Sequence, residues 1–302
     1  MRELSLMAER IAMLFPGQGT QKPGMGLPFI DRPEFSIAQR AGEILDIDTK
    51  SLLCDDPLTS THDSQLAILI TSLMSFELSK CLDREIVGFA GHSLGQVSAL
   101  ICAGVLEFEQ GLIFASKRAK ATQTCADKYG GAMAALLGAD PTSAQLLCDA
   151  LDELWIANDN APGQIVVAGK PESIDKATEI ARDYEIKKVV KLPVDGAFHT
   201  PYMQDAVDEL IPVLETMTFT EPKFPICSND DGRAYHNADI WKDKLSVHVA
   251  SPVRWRDCMD AIALLEPTKC FEVGYGSTLA GLAKRCTPEL PVESFYEGAS
   301  NG

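Results

Sequence analysis

The sequence predicts an α/β protein in which a large α/β domain is interrupted by a smaller, ferredoxin-like α+β unit. Three observations carry this. Short apolar strand runs alternate with longer helical patterns toward both ends of the chain. Between 130 and 195 the order is strand, helix, strand, strand, helix, strand, the series of a ferredoxin-like unit. Finally, Gly91-His92-Ser93-Leu94-Gly95 stands where an apolar run turns into a helix.

The elements follow in order. Ile11 to Phe15 is an apolar run stopped by "PGQGTQKPGMG", a first strand entering a glycine-rich loop. Residues 63–82, "DSQLAILITSLMSFELSKCL", have helical spacing and a polar start. Ile86 to Ala90 is a second buried strand, and Ser93 to Ala103 a helix that ends near Gly104. "LEFEQGLIFASKRAKATQTCADKY" is helical until "GGAMAALLGA" breaks it with a strand. "TSAQLLCDAL" is a helix, "LWIANDNAPGQIVVAG" a hairpin turning at Asn160 to Gly163, "PESIDKATEIARDYE" a helix and "KKVVKLPV" a strand. Beyond them, "FPICSN" and "KCFEVG" read as buried strands and Ser277 to Arg285 as a helix. The predicted boundaries are 1–129 with 196–302 for the large domain and 130–195 for the insertion; the tail "EGASNG" reads as frayed.

Composition bounds the function. With 46% hydrophobic and 23% charged residues the chain can bury a substantial core. A net charge of −16 argues against nucleic acid and anionic membranes as partners. It leaves a small anion open, because Lys117, Arg118 and Lys120, or Lys187, Lys188 and Lys191, or Lys284 and Arg285, can reverse the field locally. For most of these lysines a solvated helix face is the plainer account. No apolar run reaches the roughly 18 residues of a membrane span. The N-terminal stretch, with Glu3 and Glu9 and no small-residue cleavage site, does not read as a signal peptide. Nine cysteines without a C-x-x-C pair, mostly in apolar context, imply reduced core thiols in the cytoplasm, and neither metal nor cofactor is expected.

Five features carry chemistry. In G-x-S-x-G the glycines let the turn pass close to its neighbours while Ser93 is pushed outward above a helix N-terminus. The same pattern also fits a glycine-lined turn whose serine caps the helix. In an elbow, the N–H after the nucleophile, here that of Leu94, is one oxyanion donor. A second must come from another loop, and Gln18 in "FPGQGTQ" is the natural supplier. His199, in "VDGAFHTPYM", follows the insertion, where a cleft should lie. Arg118 stands on the helix after the elbow helix, and "ASPVRWRD" ends the set.

In order along the chain, "FPGQGTQKPGMG", "GHSLGQVSALICAGVLEF", "ANDNAPGQIVVAG", "AFHTPYM", "SPVRW" and "FEVGYGSTLAGLAKR" resemble the malonyl-CoA:acyl carrier protein transacylase family, which includes the acyltransferase units of polyketide synthases. The resemblance spans Ile11 to Arg285. It implies a hydrolase-like α/β core with a parallel sheet and a ferredoxin-like subdomain. It places the nucleophile on Ser93, the base on His199 and the carboxylate-binding arginine on Arg118. It puts the oxyanion amides on Gln18 and Leu94, and a pocket glutamine on Gln65. Malonyl-CoA and an acyl carrier protein are the implied partners of a monomeric chain. The ring of Phe198 in "AFH" resembles malonyl-selective members and would fill the volume an α-methyl branch needs.

Three positions depart from the family pattern. Gln96 replaces a glutamate. His248 replaces a glutamine whose main-chain oxygen orients the catalytic histidine. Tyr275 replaces a proline. Asp195, four residues before His199, reads as a loop residue, because the family uses a carbonyl in place of a third triad member. Three rival functions remain: a hydrolase on the same fold, whether lipase, esterase or proofreading acyl-thioester hydrolase; a transacylase for another acyl group; and a non-catalytic carrier-protein scaffold. A lipase-like hydrolase calls for an HGGG-type loop, which is absent, and a neutral acyl chain has no use for Arg118.

Overall fold

A computed structural model describes residues 9–55, 57–80 and 84–296. Cys81, the N-terminal residues 1–8 and the "EGASNG" tail lie outside the described residues. The chain begins with β1 (Arg10–Phe15), a buried strand, followed by the glycine loop, α1 (Phe35–Leu45) and α2 (Thr49–Cys54). Helix α3 (Thr61–Ser79) is buried along nearly its whole length, its small Ser and Thr side chains included, and so runs through the interior without a solvated face. The Ser60 side chain caps it by accepting from the Asp63 N–H. Then come β2 (Glu85–Gly91), α4 (Leu94–Cys102) and the long α5 (Phe108–Tyr129).

The middle of the chain is β3 (Ala132–Leu137), α6 (Pro141–Asp149), β4 (Leu154–Ala161), β5 (Gln164–Gly169), α7 (Pro171–Ile180) and β6 (Lys188–Asp195). Its four strands form an antiparallel sheet in the order β4-β5-β3-β6. The remainder is α8 (Gln204–Glu215), β7 (Ile226–Cys227), β8 (Ala234–Tyr235), α9 (Trp241–Val247), α10 (Trp255–Ala263), β9 (Lys269–Glu272), α11 (Thr278–Cys286) and β10 (Val292–Ser294). These strands join β1 and β2 in a six-stranded sheet, β10-β9-β1-β2-β7-β8, parallel except at its β8 edge.

Two expectations are corrected. "FPICSN" yields only the two-residue β7, because the chain leaves the ladder at Ser228 and Asn229 to make other bonds. The helix read through "ARDYE" stops at Ile180 and tightens into a 3₁₀ turn.

The antiparallel sheet is tied to the loop that leads into α10. Val253 forms a parallel bridge with Asn158 of β4, through Asp159 N–H to Val253 O at 2.9 Å and Val253 N–H to Ala157 O at 2.9 Å. Under the parallel sheet, Phe89 of β2 meets Phe15, Phe76 and Phe224 at ring separations of 5.3, 5.5 and 5.2 Å. This cluster, edge-to-face at Phe15 and Phe76 and tilted at Phe224, sits where β1, β2 and α3 meet. Phe89→Ala should therefore cost about 3–5 kcal/mol, measured as a lowered denaturation midpoint at unchanged slope.

Candidate active site

The site lies outside the carboxyl ends of β1 and β2, where open α/β sheets bind ligands. The antiparallel sheet roofs it with Met133, Ala135 and Val166, enclosing a cavity of about 860 Å³. Ser93 leads α4 with φ 52° and ψ −112°, a conformation that an L residue holds only when its surroundings force it. The two glycines supply that force by their bareness. A Cβ on Gly95 would stand 2.0 Å from the Phe15 carbonyl oxygen, and one on Gly91 2.0 Å from Gly95 itself. The helix can approach β1 this closely only without side chains.

Four of the predicted residues converge. The Ser93 hydroxyl lies 2.7 Å from His199 Nε2. On its other side Arg118 Nη2 donates to Ser93 Oγ at 3.1 Å, while Nη1 donates to Gln65 Oε1. Gln65 is held in turn by donating Nε2 to Thr122 Oγ1 at 3.1 Å. Gln18, Gln65 and Phe198 line the same cavity. Leu94 is buried, but as the first residue of α4 its N–H is one of the donors that the helix's own ladder leaves over.

Backbone carbonyls, and no carboxylate, orient the histidine. His199 Nδ1 lies 2.9 Å from Ser251 O and 3.2 Å from His248 O, so its proton belongs on Nδ1, leaving the Nε2 lone pair facing the serine. The sequence pointed to His248 alone; the shorter contact goes to Ser251. Asp195 ends β6 as an exposed residue, consistent with its reading as no triad member. Gln96, despite lacking the expected charge, accepts from the Asn229 N–H at 2.7 Å. Tyr275 packs edge-on against Tyr296, ring centroids 4.7 Å apart, and so fills the loop where proline was expected.

Electrostatics set the site apart. Arg118 is 3% exposed, and burial lowers its pKa to about 10. Among the described residues it has no carboxylate partner, and its Nε finds no acceptor. His199, 5% exposed, is pushed down to about 3, by burial first and then by the Arg118 charge. His248 is shifted down for the same two reasons, and burial lowers His92, which meets Asn160 Oδ1 at 2.8 Å through Nε2. Such a pair, a serine hydroxyl against a neutral imidazole beside a desolvated guanidinium, can attack an acyl group that carries its own anion.

A family model described as "Acyl transferase domain" matches residues 12–289. The chain belongs to this acyltransferase family. A malonyl CoA-acyl carrier protein transacylase of Bacillus subtilis is 33% identical over 291 residues, covering 93% of this chain and 92% of the relative. A polyketide biosynthesis malonyl CoA-acyl carrier protein transacylase of the same organism is 35% identical over 284 residues, covering 91% and 96%. The solved structure of a malonyl CoA-acyl carrier protein transacylase from Coxiella burnetii superposes with a TM-score of 0.91 at 30% identity, covering 96% of this chain and 95% of that one.

Asn229 is the residue that sequence reasoning missed. It was inside "FPICSN", but nothing in a strand pattern marks one asparagine as the clamp on a turn 136 positions away.

Two outcomes follow for this acyltransferase. Gly95→Ala should drive β1 and α4 apart, lowering stability by at least about 1–3 kcal/mol and suppressing serine acylation. Its check is a denaturation curve beside an intact-mass assay. The buried imidazoles are less basic folded than unfolded, so their contribution is complete above about pH 6.5 and is lost as acid protonates the unfolded chain first. Between pH 6 and 5, His248→Gln should show a shallower loss of stability than wild type, by about 1.4 kcal/mol per pH unit.

Proposed function

We propose that this acyltransferase moves a malonyl group from coenzyme A to the phosphopantetheine thiol of an acyl carrier protein through a malonyl-Ser93 intermediate. The observation that carries the reading is Arg118, a buried guanidinium without a carboxylate partner, 3.1 Å from the serine hydroxyl. A buried charge left unpaired is costly, and a substrate carboxylate would pair it in the planar, two-pronged manner that suits guanidinium. The relatives' names agree in both acyl group and carrier.

In this mechanism His199 Nε2 takes the Ser93 proton as Oγ attacks the thioester carbonyl. The oxyanion settles on the Gln18 and Leu94 N–H groups, the carbon–sulfur bond breaks and the coenzyme A thiol leaves with the proton. The carrier thiol then gives its proton to His199 and attacks malonyl-Ser93, and the proton returns to Ser93 as its oxygen leaves. Substrate binding helps the base: burial is the main reason that His199 is hard to protonate, and a malonyl carboxylate on Arg118 offsets the second reason, the guanidinium charge. Phe198, buried on the cavity wall beside His199, would disfavour an α-methyl branch by about 1–3 kcal/mol.

The strand order β4-β5-β3-β6, with one helix after β3 and another after β5, supports a ferredoxin-like subdomain at 130–195. The glycine-walled elbow on a parallel sheet supports a hydrolase-like core for 1–129 and 196–302. The eight cysteines among the described residues are free thiols, in keeping with work in the reducing cytoplasm. Among those residues no helix is long and apolar enough to cross a membrane.

The test compares wild type with Arg118→Ala for acyl-enzyme formation from malonyl-CoA and acetyl-CoA. The variant should lose malonyl acylation by about 10²-fold or more while gaining relative activity toward acetyl, since the mutation deletes an ion pair for one substrate and an unpaired charge for the other. An unchanged malonyl preference overturns the substrate assignment. A hydrolase would keep cleaving neutral esters with Arg118 removed, and a scaffold would form no acyl-enzyme in either protein.

A further inference from the structure

Strand β7 pairs with β2 at Ile226 and Cys227 and then ends, one residue short of the elbow that begins at Gly91. The ladder nevertheless continues, in a side chain. Asn229 Nδ2 donates to Gly91 O at 2.7 Å, and Asn229 Oδ1 accepts the Ser93 N–H at 2.8 Å. In a parallel ladder, a residue donates to the carbonyl before the position it faces and accepts from the N–H after it. The amide of Asn229 reproduces that pattern, with His92 as the position faced.

The side chain is itself over-determined. Its backbone N–H donates to Gln96 Oε1 at 2.7 Å and its carbonyl accepts from Arg254 N–H at 2.8 Å. Asn229 is 1% exposed. The adjoining Asp230 and Asp231 are both bridged by Lys244, at 2.9 and 2.7 Å, which pins the loop. Because Nδ2 must serve Gly91 O, Oδ1 is the acceptor, and His248 Nε2 meets it at 3.3 Å. His248 supplies one of the carbonyls on His199 Nδ1. Asn229 is not among the residues that line the cavity.

We propose that Asn229 is a positioning residue of the acyl-transfer reaction: its side-chain amide supplies the missing rung of β7, holds Ser93 in its strained turn, and ties that turn through His248 to the loop that orients His199. Occupying the Ser93 N–H also keeps it out of the oxyanion hole, so that task falls to Leu94 and the loop of Gln18. The inference rests on the reading of Ser93 as the nucleophile.

The conservative variant is Asn229→Asp. Its carboxylate can accept from Ser93 N–H, but its second oxygen then opposes Gly91 O and becomes a donor only when protonated. The titratable groups in contact with it are His248, from its loop, and Cys258 of α10, with its sulfur 3.9 Å from Nδ2; Arg118 of α5, His199 and His92 act on His248 behind it, and Lys244, Asp230 and Asp231 lie beside its own loop. Acylation of Asn229→Asp and Asn229→Ala by malonyl-CoA is followed by quenched intact-mass analysis from pH 5.5 to 8.5, each relative to wild type, with Ser93→Ala as control.

At pH 8 both variants should acylate at least about tenfold more slowly at saturation, with the half-saturating malonyl-CoA concentration unchanged within about twofold. Toward pH 5.5 Asn229→Asp should recover about threefold or more and Asn229→Ala should not. Wild-type rates in Asn229→Asp at pH 8, a pH response no different from that of Asn229→Ala, or a loss confined to malonyl-CoA affinity each overturn the proposal. Should Asn229→Ala fail to fold, the pH profile of Asn229→Asp against wild type decides alone. Acylation of Ser93→Ala would bring down the nucleophile reading and this inference together; silence there with a wild-type-like Asn229→Asp removes this inference only.

Discussion

The contact on which the site depends is steric: helix α4 meets the end of β1 with no side chain between them. With a would-be Gly95 Cβ only 2.0 Å from the Phe15 oxygen, the helix axis is fixed against the strand, and Ser93 has one way to leave β2. Its backbone at φ 52° is the consequence. Strain of this sort costs of order 1–3 kcal/mol and persists only where neighbours over-determine it. The His92 N–H bond to Phe15 O at 2.9 Å and the β1–β2 ladder up to Phe15 and Gly91 do so from one side. The aromatic cluster around Phe89 makes the platform beneath too costly to deform. The hydroxyl is thus displayed by packing that lies outside the cavity.

The second constraint is electrical. Arg118 brings a full charge into the protein interior, and its protein partners are neutral: the Gln65 carbonyl and the Ser93 hydroxyl. In most interiors such a cation would be paired. Burial first, and then this cation, depress the basicity of His199 and His248, and neutral carbonyls stand behind His199 where a serine triad has an aspartate. A carboxylate behind His199 would compete with an incoming anion for Arg118. Carbonyls fix the tautomer without adding charge. The acidic residues lining the cavity, Asp127 and Asp195, are exposed ones.

What could be read from the sequence divides along the same physical line. Local signals sufficed for β1, β2, the helix after the elbow and the whole run from β3 to β6, because buried parallel strands, glycine stops and a hairpin at Pro162-Gly163 announce themselves within a few residues. Ser93, His199, Arg118 and Gln65 came from ordered motifs, and the fold brings them together. "FPICSN" misled because periodicity reports burial and not pairing: Ser228 and Asn229 are as buried as strand residues, yet one bonds within its own loop and the other with a distant turn. Ser251 went unnoticed because a carbonyl acceptor leaves no trace in residue type.

The two departures at Gln96 and His248 belong together once both are seen around Asn229. Gln96 accepts from its backbone N–H and His248 donates toward its side-chain Oδ1, so the two side chains hold the same buried residue, one at the main chain and one at the side-chain amide. A glutamate at 96 would set a buried anion within the hydrogen-bonded group that contains a second imidazole. That imidazole could then draw a proton, placing a cation beside His199, with ring centroids 5.9 Å apart, and Arg118 close by. An amide at 96 satisfies the same N–H without that charge. The neutral pair therefore keeps further charge away from Arg118, which leaves the guanidinium free for the substrate anion that the proposed function assigns to it.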